Sequence, residues 1–419
     1  MSDPVLFLAH RLPFPPNKGD KLRSYRLLRH LAAGHDVFLG TFVDDPADRI
    51  HLDTVRTWCA EAFIADLVPW RARLRSLRAL ASGDPLSLPY YLDSGLRAWV
   101  RRVVGGHGIR RAFVFSSPMA QYVSDLPGLD CVVDFVDIDS DKWRQYAQAR
   151  RWPMSSVFRR EAARLLAAER DVAAASRVSL FVTEAEAELF RRLAPESAAR
   201  VFALNNGVDG RFFRPDAGMP SPYAADEIPI AFTGAMDYWP NVDAVCWFAD
   251  EVLPAIRARE PHARFHVVGM NPAPQVQALA QRPGVAVSGR VPDVRPYLQH
   301  ARAVVAPLRI ARGIQNKVLE AMAMARPVVA SPGCAGPLGA APGREIEVAR
   351  SAGEFAARTL AVLEPARAAS LGAAARARVL ADYDWEAHLR RFDRLLDGWG
   401  EAAPQRGARA ARGTVEALA

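Results

Sequence analysis

Short apolar segments alternate with helical segments along this chain of 419 residues, and the alternation starts twice. The first series of predicted strands lies at residues 5–9, 36–42, 112–115, 131–135 and 179–182, with helices such as 158–175 between them. The second series lies at residues 228–232, 264–268, 285–288, 303–306 and 328–330. Strands that alternate with helices favour parallel sheets in an α/β fold. We therefore predict two α/β halves of similar size.

A segment rich in turn-forming residues separates the two series. Asn-Asn-Gly-Val-Asp-Gly at 205–210 and Pro-Ser-Pro at 220–222 indicate a hinge. We predict an N-terminal domain at 1–207, a hinge at 208–227 and a second domain at 228–380, with a disordered Ala/Gly/Arg-rich tail at 401–419. Because parallel sheets bind ligands beyond the carboxyl ends of their strands, we expect both sheets to line a cleft between the domains.

Residues 309–323 (RIARGIQNKVLEAMA) form the most informative motif of the chain. A strand-like run ends in a loop with Arg309, Arg312 and Gly313, and the next helix carries Lys317 and, three residues on, Glu320. A spacing of three places the last two side chains on one helical face. Cations at a glycine-containing helix N-terminus suit a diphosphate, and a carboxylate one turn deeper suits ribose hydroxyls. The alternative is an amphipathic helix whose charges are solvated.

Two further glycines lie where a strand is expected to give way to a turn. Gly19, in the loop 13–21, permits close approach of a ligand to the backbone at the start of a helix; the alternative is a plain connection stiffened by proline. Gly234 follows the first strand of the second series and is expected to face the cleft. Tyr238 and Trp239 just beyond it either stack on a base or pack at the domain seam.

A cluster of acidic residues lies at the C-terminal end of the predicted strand 131–135 and just beyond it. The mutual repulsion of their carboxylates should destabilise the fold unless neighbouring cations neutralise their charge. The cluster is expected to orient a sugar hydroxyl, act as a base or cap the next helix, and we select Asp137 because it sits just past the apolar strand. The acidic residues are Asp134, Asp137, Asp139 and Asp141, and the adjacent cations are Lys142 and Arg144.

The net charge of +8 predicts an anionic partner. No nucleic-acid-binding signature is present, which favours a nucleotide-sugar or an acidic membrane surface over nucleic acid. Residues 66–111 contain nine arginines and three aspartates. Arg71, Arg75 and Arg78 share one face of a predicted helix, which is either solvated or docks on an anionic membrane or a lipid-phosphate acceptor.

Several classes of protein are not supported by the sequence. No apolar run reaches the roughly 18 residues that span a bilayer, and the N-terminus lacks the pattern of a signal peptide. The four cysteines lie far apart without metal-ligand spacing, so they are expected to be reduced thiols, and no metal site is predicted. We expect a cytoplasmic protein.

These motifs together resemble a GT-B glycosyltransferase of the large retaining family 4, along nearly the whole chain. The resemblance is carried by Asn-Gly-Val-Asp at 206–209, Thr-Gly-Ala-Met at 233–236 and the motif 309–323. Tyr-Asp-Trp at 383–385 is similar to the start of the family's last helix, which crosses back onto the N-terminal domain and is placed at 381–400. Residues 11–21 and 134–137 further resemble the sugar transferases of PEP-CTERM/exosortase exopolysaccharide systems.

The resemblance implies two Rossmann-like domains and transfer of a sugar from a nucleotide-diphosphate-sugar to a glycan or lipid-linked acceptor, with retention and without metal or cofactor. Arg309 and Lys317 would hold the diphosphate, Glu320 the ribose, and Gly19 would lie near the phosphates or the transferred sugar. The family usually shows E-x7-E, but the first position here is Arg312, which is then expected to add a phosphate contact.

The resemblance also implies a role in exopolysaccharide or cell-surface glycan synthesis, in the cytoplasm or on the inner face of the plasma membrane. Two alternatives stay open. One is a non-catalytic GT-B scaffold that binds a nucleotide or glycan, which the lost glutamate favours. The other is a nucleotide-sugar epimerase that needs no acceptor.

Overall fold

The computed structural model describes residues 3–16, 19–77, 79, 83–149, 151–311 and 313–400. The predicted tail at 401–419 and Arg312 lie outside the described residues. The chain divides into two compact units. The first contains the residues up to Leu204 and those from Phe392 on, and the second is Asn205–Arg391.

The described part of the first unit contains a seven-stranded sheet in the order β3-β2-β1-β4-β5-β6-β7, and every neighbouring pair is parallel. The strands are β1 Pro4–Ala9, β2 Asp36–Val43, β3 Glu61–Asp66, β4 Arg111–Phe115, β5 Asp130–Val136, β6 Val178–Phe181 and β7 Val201–Ala203. The helices are α1 Gly19–Ala32, α2 Leu52–Arg56, α3 Pro69–Ser76, α4 Ser87–Tyr90, α5 Ser94–Gly106, α6 Asp139–Ala149, α7 Met154–Ala175 and α8 Glu184–Leu193, with 3-10 turns at Pro46–His51, Ser117–Tyr122 and Pro195–Arg200.

The central strands of this sheet are buried on both faces. Residues Val5 to Ala9 of β1 are fully buried, and the ring of Phe7 stacks on that of Phe113 in β4. Helices on both sides of a parallel sheet produce such continuous apolar strands. Residues 392–400 also belong to this unit, where the buried Trp399 donates its indole N–H to the carbonyl of Asp130 at 2.9 Å.

The second unit contains, in its described part, a six-stranded parallel sheet in the order β10-β9-β8-β11-β12-β13. The strands are β8 Ile228–Thr233, β9 Ala263–Val268, β10 Val285–Gly289, β11 Ala303–Ala306, β12 Val328–Ala330 and β13 Glu347–Val348. The helices are α9 Trp239–Trp247, α10 Leu253–Arg257, α11 Pro274–Ala278, α12 Arg295–His300, α13 Asn316–Ala323, α14 Pro332–Ala335, α15 Ala352–Val362 and α16 Pro365–Asp382; α17 follows at Trp385–Leu395. A π-helical turn at Phe248–Val252 and 3-10 turns at Leu279–Gln281 and Gly336–Leu338 complete it.

Both sheets have the strand order of a doubly wound fold. In each, the chain runs outward from the first strand on one side and then returns to add β4 or β11 on the other side. The connections that leave β1 and β4, and those that leave β8 and β11, therefore diverge at the carboxyl edge and create a ligand-binding crevice. The prediction of two Rossmann-like parallel-sheet domains is confirmed.

Candidate functional site

Gly234 lies at the switch point of the second sheet, directly after β8. Its φ of +154° is a conformation that glycine adopts easily and other residues do not. A Cβ atom at this position would stand 2.9 Å from Nδ2 of Asn241 and 3.0 Å from Nζ of Lys317. The absence of a side chain thus lets a lysine from α13 reach the end of β8.

Lys317 is the second residue of α13, and its ammonium group is held by two uncharged partners. Nζ donates a hydrogen bond to Oδ1 of Asn241 at 2.5 Å and lies 4.1 Å from the ring centroid of Phe232. Asn241 is buried and donates its own Nδ2 to the carbonyl of Ala235 at 2.8 Å. Desolvation lowers the pKa of Lys317 to about 7, although the charges of Cys334 and Glu320 oppose it. Lys317 is thus placed at the crevice with no bonded anion among the residues that the structure describes.

Glu320 lies one helical turn after Lys317. Its carboxylate forms no hydrogen bond with another residue that the structure describes, and desolvation raises its pKa to about 7 against the opposing charge of Lys317. The predicted shared placement of these two side chains on α13 is what the structure shows.

Two buried polar atoms beside this pair also lack protein partners within the described residues. They are Oγ1 of Thr233, the residue before Gly234, and Oδ1 of Asn316, the residue before Lys317. Buried polar atoms in native proteins nearly always have a partner, so unsatisfied ones at a crevice indicate a place for a polar ligand.

Arg309 follows β11 but does not contact Lys317. Its guanidinium is about half exposed and forms an ion pair with Asp243 of α9, with Nε 3.0 Å from Oδ2. Asn241 and Asp243 are two residues apart on α9, a spacing that points side chains to different sides of a helix. Arg309 would therefore exchange Asp243 for a phosphate if it binds one.

The loop between Arg309 and α13 turns at Gly313, whose φ is +58°. At the start of α9, the rings of Tyr238 and Trp239 are 60% and 58% exposed. These exposed faces are compatible with stacking on a base, and the two sequence interpretations of this pair stay open.

In the first unit, Gly19 is exposed and is the first residue of α1. Its neighbour Asp20 accepts a hydrogen bond from Nη1 of Arg11 at 2.7 Å, and Nε of Arg11 lies 2.7 Å from Asp44. Burial acts to raise the pKa of Asp20, but a hydrogen bond from His10 and the charge of Arg11 outweigh it and lower the pKa. Arg11, Asp20 and Asp44, at the carboxyl ends of β1 and β2, thus neutralise one another within the unit.

The acidic residues at the end of β5 and beyond it do not all share one partner. Asp134 is fully buried in an ion pair with Arg23, whose Nε lies 2.7 Å from Oδ2. Asp141 instead accepts hydrogen bonds from Arg144. Two of the four acidic residues therefore have a cation of their own, and Asp137 and Asp139 share a third.

Asp137 and Asp139 both bind Lys142. Its Nζ lies 2.9 Å from Oδ2 of Asp137 and 3.0 Å from Oδ1 of Asp139. Burial acts to lower the pKa of Lys142, but the two carboxylates outweigh it and raise the pKa. The preceding Val136 has a φ of +67°, which is a true outlier for a β-branched residue. Such strain persists where surrounding contacts enforce it.

Sequence reasoning missed Asn241 and Asp243, the partners of Lys317 and Arg309. The signal that was available is a proline at the second position of a helix, which marks α9 as starting just after the Gly234 turn. Over the residues that the structure describes, no group of three His, Cys, Asp or Glu side chains is arranged to hold a metal ion. Over the same ranges, no helix is both long and apolar enough to cross a bilayer.

Solved structures are similar to this chain in fold over nearly its whole length. Sucrose-phosphate synthase from Thermosynechococcus elongatus has a TM-score of 0.69 and 18% identity over 94% of this chain and 98% of that one. HepE from Anabaena, in complex with UDP and glucose, has a TM-score of 0.66 and 15% identity over 94% and 100%. WaaG, a glycosyltransferase involved in lipopolysaccharide biosynthesis, has a TM-score of 0.64 and 16% identity over 93% and 99%. The chain therefore has the GT-B fold of glycosyltransferases.

A comparison of the sequence with protein families gives a match within the second unit. Residues 227–365 match the family described as glycosyl transferases group 1. This part of the chain, which contains Gly234, Lys317 and Glu320, is a glycosyltransferase group 1 domain. No curated protein matches the chain at a significant level.

Proposed function

We propose that the protein transfers a glycosyl group from a nucleoside-diphosphate-sugar to a glycan or lipid-linked acceptor, with retention at the anomeric carbon. The observation that carries this proposal is the ammonium group of Lys317, which is bonded to Asn241 beside Gly234, one turn before Glu320. Membership of retaining family 4 and a role in exopolysaccharide or cell-surface glycan synthesis, at the inner face of the plasma membrane, belong to the same proposal.

The donor diphosphate is proposed to bind where Lys317 and the start of α13 meet. An ammonium group has three N–H donors, and Lys317 uses one of them on Asn241 among the described residues. The other two are left for phosphate oxygens, and an anion there replaces the hydration that burial removed. Arg309 and Arg312 add phosphate contacts, Gly313 lets the loop turn towards them, and Glu320 accepts hydrogen bonds from the ribose.

During transfer, negative charge develops on the departing diphosphate. Lys317 and Arg309 stabilise that charge, which is the role that a metal ion plays in other transferases. No strong base is required, because the departing phosphate takes the proton of the acceptor hydroxyl. Asp137, held by Lys142, orients that hydroxyl from the first unit, and Gly19 provides backbone contact near the transferred sugar.

UDP-sugars are the first donors to test, because HepE is described in complex with UDP and glucose and with UDP-glucose. Thermal shift with UDP-, GDP- and other nucleotide-sugars identifies the donor, since a ligand at 100-fold its dissociation constant stabilises by about 2.7 kcal/mol. Release of the nucleoside diphosphate in the presence of glycan or lipid-linked acceptors then measures transfer. No stabilisation by any nucleotide-sugar would contradict the proposal.

A non-catalytic scaffold is the second candidate, and one observation favours it. Arg312 occupies the position where the family's motif usually has a glutamate. A protein that binds a nucleotide-sugar in calorimetry but releases no diphosphate with any acceptor is a scaffold and not a transferase.

A further inference from the structure

The helix α3 in the first unit turns its large apolar side chains outward. Trp70 and Leu74 in the helix and Leu77 at its C-cap are 59%, 58% and 57% exposed. They recur with spacings of four and three, so they form one stripe along the helix. The opposite side carries the small residues Ala72 and Ser76, which are buried. A helix that only packs on its own domain shows the reverse arrangement.

This helix is nevertheless firmly attached to the unit. Arg75 donates from Nε to the carbonyl of Pro89 at 2.8 Å and from Nη2 to that of Tyr90 at 2.9 Å. Just beyond the helix, Nη2 of Arg160 in α7 donates to the carbonyl of Ala79 at 2.6 Å. The exposure of the stripe therefore belongs to a docked helix with a defined orientation.

Exposed arginines flank the stripe on both sides. At 100° per residue, Arg71 and Arg73 lie on opposite edges of the row that Trp70 begins. Both are exposed, and the guanidinium of Arg71 lies 5.2 Å from the ring of Trp70. Arg78, which the sequence places on the same flank as Arg71, lies outside the described residues. An apolar row bordered by cations suits an anionic surface.

A second pair of exposed apolar side chains lies near the start of α7, the helix whose Arg160 contacts the segment just after α3. Trp152 and Met154, at the start of α7, are 80% and 46% exposed. Met154 precedes Arg160, which contacts Ala79, by about 9 Å of helix length. Tryptophan rings are enriched where proteins meet the interface of a membrane.

We propose that the α3 face, formed by Trp70, Leu74 and Leu77 with Arg71 and Arg73, docks on an anionic lipid bilayer. The apolar side chains enter the headgroup region and the arginines contact lipid phosphates, as in other interfacial helices. A second copy of the chain is a poorer occupant, because a self-contact would bring the flanking arginines of both copies together. The proposed docking gives the protein access to a lipid-linked acceptor.

Vesicle sedimentation tests this proposal on the full chain. Wild-type protein should sediment with phosphatidylcholine vesicles that contain phosphatidylglycerol, and much less with pure phosphatidylcholine vesicles or at high salt. Replacing the stripe (W70Q/L74Q/L77Q) should lower the apparent affinity by tenfold or more, on the order expected for loss of several buried apolar groups. Replacing the flanks (R71Q/R73Q) should lower it by about fivefold for each arginine.

The matched control is R259Q/R344Q, which removes the same charge from exposed positions of the second unit and should change binding less than about twofold. Equal binding of the stripe variant and the wild type would overturn the proposal. So would equal binding to neutral vesicles, or a wild-type dimer that only the stripe variant loses.

The docking inference and the proposed sugar transfer are tested by different measurements, so one can be contradicted without the other. Thermal shift with UDP on the same variants should be unchanged, because the α3 face belongs to the first unit and the donor site to the second. Vesicle binding without any nucleotide response would contradict the transfer proposal and leave the docking face supported.

Discussion

The ammonium nitrogen of Lys317 lies 3.0 Å from the point where a Cβ atom of Gly234 would stand. Gly234 follows β8 and Lys317 lies in the helix that follows β11, so two different connections meet at the switch point of one sheet. The contact depends on glycine, and it sets a cation beside the unsatisfied polar atoms of Thr233 and Asn316. The proposed donor site follows from this relationship.

Replacing Gly234 with alanine should weaken donor binding by roughly tenfold or more. The added Cβ would meet Asn241 and Lys317 and would also take an unfavourable φ of +154°, and each effect costs about 1–3 kcal/mol. Isothermal calorimetry with the stabilising nucleotide measures it. Gly289→Ala is the control, since its φ is +69° and nothing lies within 4 Å of the new Cβ. An equal loss in both variants would mean that backbone strain alone is responsible.

Replacing Asp243 with asparagine should strengthen donor binding by up to about fivefold. The change frees Arg309 from an exposed ion pair, and such pairs are worth about 0–1 kcal/mol. The gain should vanish when Arg309→Met is added. If D243N binds the nucleotide more weakly than wild type, Arg309 does not contact the diphosphate.

The pair Lys317 and Glu320 should make the unliganded protein least stable near neutral pH, relative to the variant K317M/E320Q. Burial lowers the pKa of Lys317 from 10.5 to about 7, so the cost of its charge is present below pH 7 and is lost as the pH rises towards 10.5. Burial raises the pKa of Glu320 from 4.5 to about 7, so the cost of its charge is absent below pH 4.5 and grows up to pH 7. Both costs therefore overlap most at about pH 7.

Thermal midpoints of the two proteins between pH 5 and pH 9.5 test this prediction. The double variant should be more stable, and the difference should be largest near pH 7 and smaller at both ends. A difference that does not change with pH would show that the two groups keep their ordinary pKa values in the folded protein.

Replacing Arg23 with methionine should destabilise the first unit by about 3–5 kcal/mol, because it leaves the fully buried Asp134 without its cation. Hydrogen exchange of β1, β4 and β5 reports this loss locally, as faster exchange by roughly two to four orders of magnitude. Arg56→Met is the control, since its pair with Asp53 is exposed and is expected to contribute about 0–1 kcal/mol. Similar exchange in the two variants would contradict the structural role of Arg23.

The strands that the sequence did not predict differ in position from most of those that it did predict: they lie at sheet edges. Every predicted strand is present, and β11 and β12 have the predicted bounds because all their residues are buried. The missed strands β3, β7 and β13 all lie at sheet edges. An edge strand is covered on fewer sides, and β3 is mostly half-buried. Its sequence therefore lacks the continuous apolar run that identifies a central parallel strand.

The candidate site was predictable only where its parts are close in sequence. Helical spacing was enough to place Lys317 and Glu320 on one face of α13. Contacts between residues distant in sequence could not be predicted. Asp243, the partner of Arg309, and Asn241, the neighbour of Gly234, both lie on α9, and their positions depend on how that helix packs. Asp134 in β5 shows the same limit, since its buried partner Arg23 comes from α1.

The most direct test compares nucleotide affinity and sugar transfer in Lys317→Met with Arg344→Met, which removes an exposed cation from the same unit. With the donor identified by thermal shift, calorimetry and diphosphate release are measured on both variants and on the wild type. The account predicts about a hundredfold loss of transfer and a clear loss of affinity in K317M, as for removal of an oxyanion partner, and near-normal values in R344M. Near-normal binding and turnover in K317M would contradict it.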